Sequence, residues 1–134
     1  MIAAHQRRPV LIVDDDAPVA NSLRRLLQRA GFEVIVASGG KEAISLLTRN
    51  APAVVISDYR MSDMSGIEVL KHAQQACPAA VRILISGYAE EGAFDGYREE
   101  DAFCTFFAKP WNDSALLAEL RDRMSEQLKV VASA

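Results

Sequence analysis

The sequence predicts an α/β fold in which a parallel β-sheet is covered by helices on both faces. Two observations lead to this prediction. Short apolar runs alternate five times with longer segments in which apolar side chains recur at helical spacing. The apolar runs are also continuous, as expected of strands buried on both faces of a parallel sheet. The 134 residues suit one domain, which we place at 9–128, between a lead-in at 1–8 and a tail at 129–134.

The first strand and helix are the most clearly marked. The apolar run at 10–13 is stopped by three consecutive acids. Helical spacing then extends over 17–30, with basic and polar residues on the opposite face. Asp16 is a suitable N-cap for this helix, Pro18 fits its first turn, and Gly31 stands where a helix ends.

The four later units repeat the pattern. The remaining predicted strands, each an apolar run that ends at a polar residue, lie at 32–37, 53–57, 81–85 and 104–108. The remaining predicted helices, with apolar residues three or four apart, lie at 41–49, 66–75, 89–100 and 113–128. Gly39-Gly40 is interpreted as a turn. Gly92 and Gly96 weaken the helix in which they fall, since each costs about 1 kcal/mol relative to Ala.

Composition excludes several classes of function. The net charge of −3 argues against direct binding of nucleic acid. Two cysteines are too few for a disulfide framework and suit a reducing compartment. The apolar runs are much shorter than the roughly 20 residues of a membrane span, and the N-terminus lacks the apolar core of a signal peptide. We therefore expect a cytoplasmic domain without a membrane partner.

Polar side chains that can bind a ligand or take part in catalysis lie where the predicted strands end. In open parallel sheets, ligands bind beyond the carboxyl ends of the strands. The residues at these ends are Asp14 and Asp15 after the first strand, Asp58 after the third, Ser86 after the fourth and Lys109 after the fifth. An Asp alone at such a place is often a helix cap, Ser86-Gly87 alone is an ordinary turn signal, and Lys109 before Pro110 alone indicates only an extended residue. Together they predict a shared site.

The combination of residue types indicates a magnesium-assisted phosphoryl site. Adjacent strands lie about 4.8 Å apart, so acids that end neighbouring strands repel one another, and a divalent cation relieves the repulsion. Oxygen ligands favour Mg²⁺, or Mn²⁺, over Zn²⁺. An ammonium and a hydroxyl can hold phosphoryl oxygens, and a carboxylate can act as nucleophile. A glycine-rich nucleotide loop is absent from the sequence.

Four motifs carry a resemblance to a known family. They are LIVDDDAP at 11–18, DYRMSDMSG at 58–66, LISGYA at 84–89 and FFAKPW at 106–111. In order and spacing these motifs resemble those of the receiver domain of two-component response regulators, a CheY-like superfamily, over essentially the whole chain. The resemblance implies a doubly wound, flavodoxin-like (βα)5 sandwich with strand order 2-1-3-4-5.

The resemblance also implies roles for the acidic residues. Asp58 would accept a phosphoryl group from a phosphohistidine on a sensor histidine kinase or phosphotransfer protein. Asp15 and Asp58 would ligate Mg²⁺ through their side chains, and Arg60 through its backbone carbonyl. Asp14 would complete the acidic pocket through metal-bound water.

Further residues would convert phosphorylation into a signal. Lys109 would pair with the phosphoryl group, and its bond to Pro110 is expected to be cis. Ser86 would donate a hydrogen bond to a phosphoryl oxygen, and Phe106 would change rotamer with it. These movements would alter the face formed by the fourth helix, the fifth strand and the last helix (α4-β5-α5 of the family). That face would contact an effector domain or partner protein, or a second copy in a homodimer.

The sequence departs from the family pattern at several positions. Phe106 replaces the more usual Tyr, Ser62 replaces the usual Pro, and Ser65 replaces the usual Asp. Arg60 and Tyr88 occupy two variable positions that tune the lifetime of the phosphoryl group in the family. Both are bulky enough to hinder an attacking water, so we expect slow dephosphorylation.

Three other functions compete with this interpretation. A small Mg²⁺-dependent aspartyl phosphatase of the haloacid dehalogenase class would need a D-x-D-x-T pattern, and 14–18 lacks the Thr. A receiver-fold interaction module that is never phosphorylated would be expected to lack the acids or the lysine. A flavodoxin-like cofactor binder would not be expected to have an acidic sheet edge.

Overall fold

The structure, a computed structural model, describes residues 8–87 and 105–133. Its strands are β1 (Val10–Val13), β2 (Val34–Ala37), β3 (Val54–Asp58), β4 (Val81–Ser86) and β5 (Thr105–Ala108). Its helices are α1 (Ala17–Arg29), α2 (Gly40–Asn50), α3 (Gly66–Ala76) and a C-terminal helix (Asp113–Ser133). The strands form one parallel sheet in the order β2-β1-β3-β4-β5. This topology confirms the predicted fold class and strand order.

The element boundaries differ from the sequence prediction by more than one residue at two places, the start of β2 and the end of the C-terminal helix. β2 begins at Val34, because the N–H of Phe32 donates instead to the carbonyl of Leu27 in the turn after α1. The glycine that ends this turn, Gly31, has a φ of 97°. The C-terminal helix continues to Ser133, so most of the predicted tail is helical. The predicted helix at 89–100 lies outside the described residues, as does the predicted first residue of β5.

Both faces of the sheet are covered by helices. Leu11 and Val13 of β1 pack into a core cluster with residues of α2 and α3. Val10 and Ile12 point to the other face and pack with residues of α1 and the C-terminal helix. All four β1 side chains are at most 1% exposed. The apolar run is therefore continuous because both sides of the strand are buried.

The segment between β3 and α3 folds back onto the end of β3. The N–H of Gly66 donates to the carbonyl of Tyr59 at 2.7 Å. A Cβ atom at Gly66 would overlap the backbone carbonyl oxygen of Asp58. The next helix begins at once, since the Ser65 hydroxyl accepts a hydrogen bond from the N–H of Glu68 at 3.3 Å. Gly66 thus lets α3 start directly against the strand end that carries Asp58.

Replacing Gly66 by Ala should destabilise the domain. The added methyl group would meet backbone rather than a flexible side chain, so we expect Gly66→Ala to lower the free energy of unfolding by about 1–3 kcal/mol. Urea denaturation measures the change. Gly87→Ala is the control, because within residues 8–87 and 105–133 no heavy atom beyond its chain neighbours lies within 4 Å of a Cβ atom built there. Equal losses in both variants would contradict the packing argument.

Candidate functional site

Three carboxylates meet at the carboxyl ends of β1 and β3. These strands are neighbours in the sheet, with Val13 paired to Ser57. The carboxylates of Asp14, Asp15 and Asp58 each offer an oxygen within 4.8 Å of the others. Asp14 is 6% exposed and Asp58 is 9% exposed, whereas Asp15 is open to solvent. The structure therefore brings together the three acids that the sequence predicts at this edge.

Lys109 reaches this cluster from β5, two strands away from β3. Its Nζ atom lies 2.8 Å from Oδ1 of Asp58 and 3.4 Å from Oδ2 of Asp14. Its backbone N–H donates to the carbonyl of Ser86 at 2.9 Å, and its peptide bond to Pro110 is cis, as expected from the resemblance. This backbone hydrogen bond fixes the main chain of Lys109 on β4, and the long side chain then brings the ammonium to Asp14 and Asp58.

Burial, neighbouring charges and hydrogen bonds together shift the pKa values of Asp14 and Lys109. Burial raises the pKa of Asp14, and the nearby Asp58 charge raises it further, against hydrogen bonds from the Asp16 N–H and from Lys109. Burial alone would lower the pKa of Lys109, but its hydrogen bond to Asp58 and the two carboxylate charges raise it overall. Lys109 therefore stays protonated, and its single positive charge does not balance three carboxylates.

The three consecutive acids after β1 have three different surroundings. Asp14 points into the cluster and accepts the Asp16 N–H at 2.9 Å. The Oδ2 atom of Asp15 accepts the backbone N–H of Ser62, also at 2.9 Å. Asp16 caps α1 by accepting the N–H of Val19 at 3.3 Å, which confirms the predicted cap. Asp15 therefore links the end of β1 to the segment that follows Asp58.

The remaining predicted site residues lie around this edge. Ser86, the last residue of β4, is 1% exposed and pairs in register with Ala108. Arg60 is exposed and forms an isolated antiparallel bridge with Ser65, within the return from β3 to α3. Phe106 lies on β5 and packs, partly buried, against the α2–α3 side of the core. Tyr88 lies outside the described residues.

The sequence interpretation missed one participant, Asp63. Its Oδ1 atom accepts the N–H of Gly40 at 3.0 Å, and its Oδ2 atom accepts the N–H of Lys41 at 2.9 Å. These two hydrogen bonds lower the pKa of the Asp63 carboxyl. A signal was present in the sequence: α2 begins after Gly39, which has no side chain to cap it, so its first N–H groups need an acceptor from elsewhere.

The donor set at this edge fits a hard divalent cation. Its members are carboxylate oxygens, the ligands that Mg²⁺ prefers. Three carboxylates lie close together, and the Lys109 ammonium contacts two of them. Asp14 follows β1 and Asp58 is the last residue of β3, and the strand order reverses between these two strands. The molecule is therefore a doubly wound α/β protein with an acidic site at its topological switch point.

Comparison with known proteins identifies the family. The family model described as "Response regulator receiver domain" matches residues 10–121, and the chain belongs to this family. The hydrogenase transcriptional regulatory protein HoxA of Cupriavidus necator is 34% identical over 118 residues, which cover 88% of this chain and 24% of that protein. Sporulation initiation phosphotransferase F of Bacillus subtilis is 29% identical over 119 residues, which cover 89% of this chain and 92% of that protein.

Solved structures agree with this assignment. A receiver domain protein (CheY-like) from Methanospirillum hungatei has a TM-score of 0.84 at 27% identity and covers 91% of this chain and 97% of that one. The signal receiver domain of an HD domain-containing protein from Pseudomonas fluorescens has a TM-score of 0.86 at 27% identity, over 99% and 98% of the two chains.

These relatives bear on the competing functions. The curated matches include transcriptional regulators, which are signalling proteins rather than enzymes, and the matched family is that of receiver domains rather than phosphatases. The chain spans about a quarter of the length of the two HoxA proteins, 24% and 23%. Within residues 8–87 and 105–133, no helix is both long and apolar enough to span a membrane.

Neutralising Asp14 should stabilise the metal-free domain. A carboxyl whose pKa is raised on folding costs stability when it is ionised, and this cost disappears below its ordinary pKa of 3.8. We expect Asp14→Asn to be more stable than wild type at about pH 7, with the gain shrinking as the pH falls through the raised pKa. Urea denaturation in the presence of a chelator, repeated across this pH range, measures the gain.

The control for this experiment has the opposite sign. Folding lowers the pKa of Asp63, so its ionised carboxylate stabilises the folded state at neutral pH. Asp63→Asn should therefore be less stable than wild type at about pH 7. A loss of stability in Asp14→Asn at neutral pH would contradict the view that burial dominates at this carboxylate.

Proposed function

We propose that the chain is a phosphoacceptor domain in which Asp58 takes a phosphoryl group from the phosphohistidine of a sensor histidine kinase or phosphotransfer protein. The observation that carries the proposal is the position of Asp58. It lies largely buried at the switch point, 2.8 Å from the Lys109 ammonium and within the three-carboxylate cluster. Family membership supports the same donor chemistry.

The proposed transfer needs few groups from the protein. A carboxylate oxygen of Asp58 attacks phosphorus, the P–N bond to the histidine ring breaks, and the electron pair of that bond returns to the imidazole. The product is an acyl phosphate on Asp58. The Lys109 ammonium, which now contacts Oδ1 of Asp58, would remain beside the new negative charge on the phosphoryl oxygens.

Mg²⁺ is the cation we propose for the site, and Mn²⁺ would meet the same donor set. It would supply positive charge to phosphoryl oxygens during transfer. Asp15 and Asp58 would hold it through their carboxylates and Arg60 through its backbone carbonyl, while Asp14 would act through bound water. The convergence of the three carboxylates supports this assignment, because relief of their mutual repulsion favours a cation.

The output of the domain would run through β4 and β5. Ser86 and Lys109 are joined by a backbone hydrogen bond, so a shift of one is passed to the other. Ser86 would donate to a phosphoryl oxygen, and Phe106 would repack with it. The face beside β5 would then contact an effector domain, a partner protein or a second copy of the chain. We place this signalling in the cytoplasm, without direct contact to nucleic acid or membrane.

Phosphorylation should require Asp58. Incubation with Mg²⁺ and a small phosphodonor should add one phosphoryl group to wild type and none to Asp58→Asn, as read by intact-mass spectrometry. Asp122→Asn is the matched control, because Asp122 is an exposed acid on the C-terminal helix, and it should be labelled like wild type. Equal labelling of wild type and Asp58→Asn would overturn the assignment.

The same experiment separates the switch from its alternatives. A phosphoacceptor that dephosphorylates slowly keeps its label, and a half-life of seconds would contradict the expectation based on Arg60 and Tyr88. Multiple turnover of an aryl phosphate would instead indicate the phosphatase. An unlabelled wild type would favour a module that acts without phosphorylation.

Mg²⁺ affinity should depend on Asp15. We expect Asp15→Asn to weaken Mg²⁺ binding about tenfold or more, since a neutral amide replaces a charged ligand. Isothermal titration calorimetry measures the affinity, and the fluorescence of Trp111, the single tryptophan, provides a second signal near Lys109. Asp16→Asn removes the adjacent acid but keeps a good N-cap, so it should bind Mg²⁺ like wild type. Equal weakening in both variants would contradict a ligand role for Asp15.

A further inference from the structure

The N-terminus of α2 is capped by a residue from the segment between β3 and α3 rather than by its own sequence. The N-cap residue, Gly39, has no side chain, and both oxygens of Asp63 accept the N–H groups of Gly40 and Lys41 instead. A carboxylate is well suited to this place, because the N-terminus of a helix carries a partial positive charge. The contact joins residues 22 and 23 positions apart.

The two glycines leave room for this contact. A Cβ atom at Gly39 would lie 3.2 Å and 3.3 Å from the two carboxylate oxygens of Asp63. A Cβ atom at Gly40 would overlap the side chain of Met64. The predicted turn is wrong for Gly40, which is the first residue of α2, and Asp63 and Met64 pack against Gly40 and the N-cap residue Gly39.

The residue before Asp63 is attached to the acidic cluster. The backbone N–H of Ser62 donates to Oδ2 of Asp15 at 2.9 Å. A proline at position 62, the residue expected from the family pattern, would have no N–H to donate. The bonds thus form one path: from the N-terminus of α2 to Asp63, along the backbone to Ser62, and from its N–H to Asp15.

We propose that Asp63 is a positioning residue for the divalent-cation site, fixing the segment between β3 and α3 on α2 so that the Ser62 N–H orients the Asp15 carboxylate toward the bound ion. This role rests on the proposed function, because it requires Asp15 to be a ligand. A carboxylate held by a backbone N–H keeps lone pairs for a cation and loses less rotational freedom when the cation binds.

Reciprocal coupling follows from the same path. If the contact of Asp63 with α2 strengthens Mg²⁺ binding, Mg²⁺ must strengthen that contact by the same factor. The amide protons of Gly40 and Lys41 should therefore exchange more slowly with solvent when Mg²⁺ is bound. This measurement uses the wild-type protein and does not depend on a substitution.

The first test compares Mg²⁺ affinity in wild type and Asp63→Ala by calorimetry. Loss of the carboxylate should weaken Mg²⁺ binding about tenfold, within the range seen when groups that orient metal ligands are removed. The urea midpoint of Asp63→Ala should also fall, because α2 loses its cap. Asp122→Ala, an exposed acid far from α2 in sequence, should change neither quantity.

The second test separates positioning from simple helix capping. Asp63→Ala/Gly39→Ser places a hydroxyl at the N-cap of α2, where the extended backbone (φ −175°) accepts any residue and the crowding oxygens are gone. We expect the urea midpoint to recover toward wild type while Mg²⁺ affinity stays weak. Recovery of both would overturn the proposal and reduce Asp63 to a cap.

The outcomes also distinguish this role from the proposed function. Tight Mg²⁺ binding by wild type with unchanged affinity in Asp63→Ala, or unchanged exchange at Gly40 and Lys41, would overturn the positioning role and leave the phosphoacceptor site intact. Absence of Mg²⁺ binding by wild type would overturn both.

Discussion

The crowding of negative charge at the carboxyl ends of β1 and β3 is the constraint on which the rest of the site depends. Asp14 and Asp58 are largely buried, and within residues 8–87 and 105–133 they share one ammonium, that of Lys109, whose single positive charge cannot neutralise both carboxylates. Burial and the neighbouring charge both raise the pKa of Asp14. A core made of continuous apolar strands tolerates this local cost, because the strands are stabilised along their whole length by packing on both faces.

Lys109 supplies positive charge to these crowded carboxylates from a distant strand. It lies two strands away from Asp58, and its long side chain crosses the end of β4 to reach the acids. Its backbone N–H donates to the carbonyl of Ser86, so the residue whose ammonium contacts the cluster is tied to the neighbouring strand as well. Under the proposed function, a phosphoryl group on Asp58 changes the partner of Lys109, and the change is transmitted to β4 and β5 through this bond.

The features that the sequence predicts depend on neighbouring residues or on sheet topology, whereas the feature that it misses depends on a contact between residues far apart in the chain. The β1 strand and the Asp16 cap follow from a few consecutive residues, and both are confirmed. The convergence of Asp14, Asp15 and Asp58 follows from topology, because parallel strands end at the same sheet edge. The capping of α2 by Asp63 depends on a contact across more than 20 residues, for which neither periodicity nor turn chemistry gives a signal. The missing local cap at Gly39 shows that an acceptor is needed, but not which residue supplies it.

The segment that follows Asp58 is held on three sides. The N–H of Tyr59 donates to the carbonyl of Ile85 on β4, the N–H of Ser62 to Asp15 after β1, and Asp63 accepts from α2. A segment with a single anchor could absorb a change of charge at Asp58 by moving alone. One held by three elements passes part of any displacement to each of them, because packed elements shift as units. Under the proposed function, a change of charge at Asp58 would therefore reach α2 through Asp63 as well as β4 through Tyr59.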